Sequence, residues 1–179
     1  AGWCNLFVSA NRGKSWYIGN EPNCGNGCGG SYFTPIDYAI HFHDVYGATK
    51  AIDPTAKIFT AAWIYDDPCA EWSQIDGTMI SYYQQQHWGA VPAEGWSTHY
   101  YQSGNPTIPD PIPFMKCFTD KIKAEKLAGR VVSDTVRLTE FGWSGFDEAH
   151  GTEANVNAFM NYLIPYLETK PQIERYYWW

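Results

Sequence analysis

Glu21 stands in the run Tyr17-Ile18-Gly19-Asn20-Glu21-Pro22-Asn23, and Glu140 in Arg137-Leu138-Thr139-Glu140-Phe141-Gly142. Each closes a short segment of strand character. Two carboxyl groups on separate strand ends can share one pocket. Glycosidic bond cleavage needs such a pair: one carboxyl gives a proton to the leaving oxygen, and the other meets the positive charge developing at the sugar carbon. The expectation is an enzyme that cleaves carbohydrate without a cofactor or metal.

The elements that must position this pair are legible in order. Residues 15–21 read as a strand. Thr34-Pro35-Ile36-Asp37 then supplies a helix start, with Thr as N-cap and Pro at the first helical position, and Asp53-Pro54 ends the run. Residues 57–62 form the next strand, followed by a helical region over 71–86 interrupted by Gly77. Residues 95–101 are a third strand. A helix follows the Pro-rich loop of residues 106–113 and stops at Gly129. Residues 135–140 form a fourth strand, Thr152 caps a further helix, and residues 173–179 are a fifth strand. Strands alternating with helices imply a parallel sheet covered by helices, either an open doubly wound sheet or a barrel. The one glycine-rich loop, residues 25–30, lacks the spacing of a dinucleotide or phosphate fingerprint. A barrel is favoured, because its strand ends converge on one face, and here those ends carry Asn20, Glu21, Trp63, His99, Tyr100, Tyr101, Glu140, Trp178 and Trp179.

With 179 residues and 45% hydrophobic content, the chain can bury one core, so residues 1–179 are expected to form a single domain. Lys and Arg number 12 against 19 Asp and Glu, a net charge of −7 with no basic cluster, which excludes nucleic acid and anionic membranes as natural partners. Aromatic residues make up 17%, and many stand beside Gly, Asn, Pro or Ser, where exposed rings suit stacking on sugar faces; the rest fill the core. The cysteines are Cys4, Cys24, Cys28, Cys69 and Cys117, an odd count that leaves at least one free or paired between chains. Cys24 and Cys28 could close a small disulfide, which points to a secreted or extracytoplasmic protein. His41 and His43 fall on opposite sides of a predicted helix, away from metal-ligand spacing. A chain starting at Ala1 reads as a processed or trimmed product, and no stretch is long enough to span a bilayer.

Asn-Glu-Pro at one strand end and Thr-Glu-Phe-Gly three strands later resemble the signatures of the clan A glycoside hydrolases, which are (β/α)8 barrels with glutamates after strands four and seven. The resemblance implies an α/β fold, a (β/α) barrel of TIM type truncated to about five units that correspond to strands four to eight. It implies Glu21 as general acid/base and Glu140 as nucleophile of a reaction that retains configuration. Asn20 would hydrogen-bond the sugar 2-hydroxyl. His99-Tyr100-Tyr101 resembles the His-x-Tyr of strand six, with Tyr101 donating to the nucleophile and His99 lining the pocket. Trp178 resembles the sugar platform of strand eight; Trp63 and Trp143 would form outer subsites or pack in the ordinary way. A cellulase-like action on β-glucan is the first expectation, with xylan or mannan behind it. The strands missing from a full barrel suggest a homo-oligomer that closes the open sheet. The alternative is a non-catalytic carbohydrate-binding remnant or a fragment of such a barrel.

Overall fold

The computed structural model describes residues 2–24, 32–102, 111–143 and 152–178. Five parallel strands, β1 (Ser15–Ile18), β2 (Lys57–Trp63), β3 (Gly95–Gln102), β4 (Val136–Trp143) and β5 (Ile173–Trp178), lie side by side in chain order. A doubly wound sheet reverses its strand order at a switch point. This one never reverses, so it is an arc of a (β/α) barrel. The helices are α1 (Gly2–Ala10), α2 (Pro35–Ile52), α3 (Pro68–Glu71), α4 (Asp76–Gln85), α5 (Pro111–Leu127) and α6 (Glu153–Glu168).

Burial separates the middle of the sheet from its edges. Six of the seven β2 residues and seven of the eight in β3 are buried, as expected of strands covered on both faces. β1 and β5 are mostly exposed or half-buried. The helix-facing core joins Phe42 of α2, Trp96 of β3, Phe118 of α5, Leu138 of β4 and Leu163 of α6 in one cluster.

Local signals hold where they are strong. Thr34 Oγ1 accepts from Asp37 N with Pro35 beginning α2, and Thr152 Oγ1 accepts from Asn155 N at the start of α6. Gly129, at φ 70°, lets Arg130 N reach back to Glu125 O at 3.0 Å and ends α5. Several expectations are corrected. Residues 71–86 are not one helix: α3, a single 3-10 turn at Trp72–Gln74 and α4 replace it, since Asp76, not Gly77, begins a helix of its own. α5 starts at Pro111, inside the loop expected over 106–113. Residues 2–10, which carry no strong start signal, form α1 and bury Val8.

Cys69 and Cys117 form a disulfide with Cα atoms 5.7 Å apart, pinning α3 to α5. Closing 48 residues in this way is worth about 4 kcal/mol in the chain-entropy treatment. Cys24 is also disulfide-bonded; the expected Cys24–Cys28 pairing involves Cys28, which lies outside the described residues. His41 and His43 meet different partners, Phe33 and Trp88. No helix among the described residues is long and apolar enough to cross a membrane.

Candidate active site

β1 ends at Ile18, three residues before the expected Glu21, and a tyrosine is the cause. The buried Tyr38 hydroxyl of α2 donates to Ile18 O at 2.7 Å and accepts from Ala61 N at 2.5 Å, taking both groups out of the ladder. Freed from β2, the chain turns through Gly19 at φ 91° into Glu21 at φ 44°, a left-handed backbone that few residues other than glycine adopt. Glu21 N then returns to Ala62 O at 2.9 Å, and Cys24 N closes a turn on Glu21 O at 3.0 Å. Beyond it, Asn23 bonds both the oxygen and the nitrogen of Ile64, locking this loop to the end of β2.

Glu140 reaches the same place by a different device. Val136 and Leu138 face the helices, so strict alternation would send residue 140 there too. Thr98 pairs with Leu138 but His99 pairs with Glu140, leaving Thr139 as an extra residue on β4. The bulge turns Glu140 onto the inner face of the arc and returns Phe141 to the core. Glu140 therefore sits inside β4, which runs on to Trp143, instead of closing the strand.

On that face Glu21, His99 and Glu140 each offer an atom within 4.8 Å of the other two. His99, 3% exposed in its side chain, directs Nδ1 to Glu21 Oε1 at 2.8 Å and Nε2 toward Glu140 Oε1 at 3.6 Å. Tyr101 donates its hydroxyl to Glu140 Oε2 at 2.6 Å. Burial, and then the Glu140 carboxylate, push the Tyr101 pKa above its ordinary value, so it remains a donor. The two carboxylates keep 14% and 22% side-chain exposure, enough to meet a substrate. Taken one atom each, the same three groups also form a donor set of the kind that binds a divalent cation, while Nδ1 and Nε2 of His99 point to different carboxylates.

A cleft of about 540 Å³ opens beside the pair, lined by Tyr17, Gly19, Asn20, Ala62, Thr139 and Tyr177. Asn20 thus stands next to Glu21 at the cleft wall. Trp63 does not: it is fully buried in β2, edge-on to Tyr38. Trp143 packs against Phe159 of α6. Trp178 pairs with Phe141 in register and lays its ring against Phe141 and Phe159, on the helix side, so alternation turns Tyr177 into the cleft in its place. Trp179 lies outside the described residues. Tyr17, Thr139 and Tyr177 are lining residues that sequence reasoning missed, and the two-residue period of β1 and β5 was the signal that could have found the tyrosines.

A family model described as the glycosyl hydrolase catalytic core matches residues 10–179. A search of curated proteins finds no match. Among solved structures, a glycoside hydrolase family 128 (subgroup II) endo-β-1,3-glucanase from Pseudomonas viridiflava is similar at TM-score 0.68 and 18% identity, over 99% of this chain and 63% of its own. A glucosidase from Croceicoccus marinus follows at TM-score 0.66 and 19% identity, over 91% of this chain and 32% of its own. A family 44 xyloglucanase from Paenibacillus polymyxa is similar at TM-score 0.64 and 13% identity, over 99% and 45%. The chain thus spans less than two thirds of each of these proteins.

Proposed function

Because the chain belongs to the glycosyl hydrolase catalytic core family, we propose that it cleaves β-linked polysaccharide with retention of configuration, Glu21 serving as acid/base and Glu140 as nucleophile. The observation that carries this reading is the convergence of the two carboxylates, whose ligand atoms lie within 4.8 Å of each other, next to a cleft lined by their chain neighbours Asn20 and Thr139. Retaining enzymes hold the carboxyl groups roughly 5 to 5.5 Å apart, whereas inverting ones leave room for water at about 6.5 to 9.5 Å.

In the first step protonated Glu21 gives its proton to the glycosidic oxygen as Glu140 attacks the anomeric carbon, breaking the bond and forming a glycosyl ester. In the second, Glu21, now a carboxylate, takes a proton from water as that water attacks the same carbon and frees Glu140. Tyr101 holds the Glu140 carboxylate in its attacking orientation, and His99 aligns Glu21. Asn20 is placed to bond the sugar beside Glu140. β-Glucan, including cellulose, is the first substrate class, with xylan or mannan behind it. The Cys69–Cys117 disulfide supports an extracytoplasmic setting.

The partly exposed edges β1 and β5 support closure by a second copy of the chain. Parallel measurement of solution mass and specific activity on dilution tests that arrangement; an active monomer at every concentration rules it out. The enzymatic reading is tested by sugar release from β-1,3-glucan, cellulose, xyloglucan, xylan and mannan, together with labelling by 2-fluoro glycosides that trap the ester. Mass added to the peptide containing Glu140 is expected. Binding without release or labelling would establish the non-catalytic alternative.

A further inference from the structure

Beneath the cleft, the inner face holds a buried cation that the chemistry above does not use. Arg137 of β4 is 3% exposed. Its Nε donates to Glu174 Oε2 at 2.9 Å and its Nη2 lies 2.8 Å from the same oxygen. Its Nη1 donates to the Tyr17 hydroxyl at 2.8 Å, and its Cζ lies 3.6 Å from the centre of the Phe59 ring. One guanidinium on β4 thus gathers groups from β1, β2 and β5. Phe59 can lie under it because residue 95 is glycine: a Cβ there would meet the ring at 2.5 Å.

β1 and β4 are not neighbours in the sheet, since β2 and β3 separate them. The Arg137–Tyr17 bond is therefore a direct tie across the arc. It sits three residues before Glu140 on one strand and four before Glu21 on the other. In a closed barrel, layers of side chains from all the strands hold opposite walls at a set distance. Here a planar fork with donors in several directions does that work, which a lysine ammonium cannot reproduce.

We propose that Arg137 is a positioning residue, which ties the strand carrying Glu140 to the strand leading to Glu21 and so sets the gap between the two carboxyls. This rests on the reading of those glutamates as the reacting pair. A displacement of 1 Å between reacting groups costs about 100-fold in rate. Losing the tie should therefore appear in kcat and leave KM nearly unchanged.

The test uses Arg137→Met, Arg137→Lys, Tyr17→Phe and the Met/Phe double variant in the full chain. Arg137→Met is expected to lower kcat about 100-fold with KM within about threefold, and Arg137→Lys to recover only part of the loss. Tyr17→Phe, which keeps the ring and removes one hydroxyl, covers the case in which Arg137→Met does not fold. It is expected to lower kcat about tenfold with only a modest drop in melting midpoint, the cost of one stranded guanidinium donor, and its effect on kcat should vanish in the Arg137→Met background. Carbon-13 titration of the two glutamate carboxyls supplies a readout independent of turnover. Close carboxyls titrate as a coupled pair with separated steps, and either variant should draw the steps together. Unchanged kcat and unchanged titration in Tyr17→Phe, or loss confined to KM, overturns the proposal. A parent chain inactive on every glycan, whose carboxyl coupling still collapses on losing the tie, removes the hydrolase reading and leaves the tie standing.

Discussion

The two ends of the sheet hold their carboxylates in opposite circumstances. Where the strands begin, Glu94 accepts from Ile58 N at 2.7 Å and from Lys50 Nζ at 2.5 Å, and that lysine also bonds Ala56 O. Nearby, Asp53 accepts from Thr55 and from Gly13 N, bonds that hold its pKa below the usual carboxylate value. Where the strands end, Glu21 and Glu140 face each other, one on a left-handed backbone, and the buried Nε2 of His99 between them has no hydrogen-bond partner. Carboxylates satisfied by backbone and lysine stabilise a fold. Carboxylates left facing one another, with no lysine or arginine among the described residues to satisfy them, are the arrangement the proposed mechanism requires.

Removing charge at the two ends should therefore break different things. The largest effect is expected from Glu140→Gln, which keeps the shape but cannot form the ester: turnover should fall by several orders of magnitude while melting midpoint and polysaccharide binding persist. Residual kcat within a few-fold of the parent would take Glu140 out of the mechanism. Glu21→Ala comes next, with about 100- to 10,000-fold loss on natural polymers and much less on substrates with activated leaving groups, because such groups need little protonation. Added azide should restore rate and yield a β-glycosyl azide; equal damage to both substrate types without that product would make Glu21 structural.

At the other end, Glu94→Ala strands Ile58 N and Lys50 and should cost about 2 to 3 kcal/mol in denaturant unfolding. Its kcat, measured well below the melting midpoint, should stay within about twofold of the parent; a kcat loss beyond tenfold would erase the distinction between the two ends.

The smallest effect concerns a third carboxyl, Asp76, which is neither satisfied like Glu94 nor open like Glu140. Burial raises its pKa to about 7, partly offset by the Tyr65 hydroxyl that donates to it at 2.5 Å. A folded pKa above the unfolded one favours folding in acid. That contribution is complete below the unfolded value near 3.8 and is lost as pH rises through about 7. Asp76 should therefore lower stability by roughly 1 to 2 kcal/mol between about pH 5.5 and 7. Replacing it by Asn should remove that slope, as read by urea unfolding at each pH; an identical slope in both proteins would assign it to other groups.

The alternation of strand and helix, the caps at Thr34 and Thr152 and the stop at Gly129 were legible in the sequence because each depends on neighbours within a few residues. So were the two glutamate motifs and the aromatic setting of the strand ends. What lay beyond reach was decided at longer range. The Tyr38 hydroxyl, whose partners stand about 20 residues away along the chain on either side, ends β1 early and frees Glu21. The bulge at Thr139 moves Glu140 to the inner face, and the same register logic turns Tyr177 inward and Trp178 outward. Trp63 follows the predicted end of its strand as a candidate outer subsite, yet β2 continues through it and buries it in the core. The pairing of Cys69 with Cys117 follows from the packing of α3 against α5, and the gathering of β1, β2 and β5 on Arg137 of β4 from the curvature of the sheet. Sequence by itself determined which groups could do chemistry and which elements carry them. The tertiary structure decided which way each one points, because in a strand a single extra residue reverses the face that every later side chain presents.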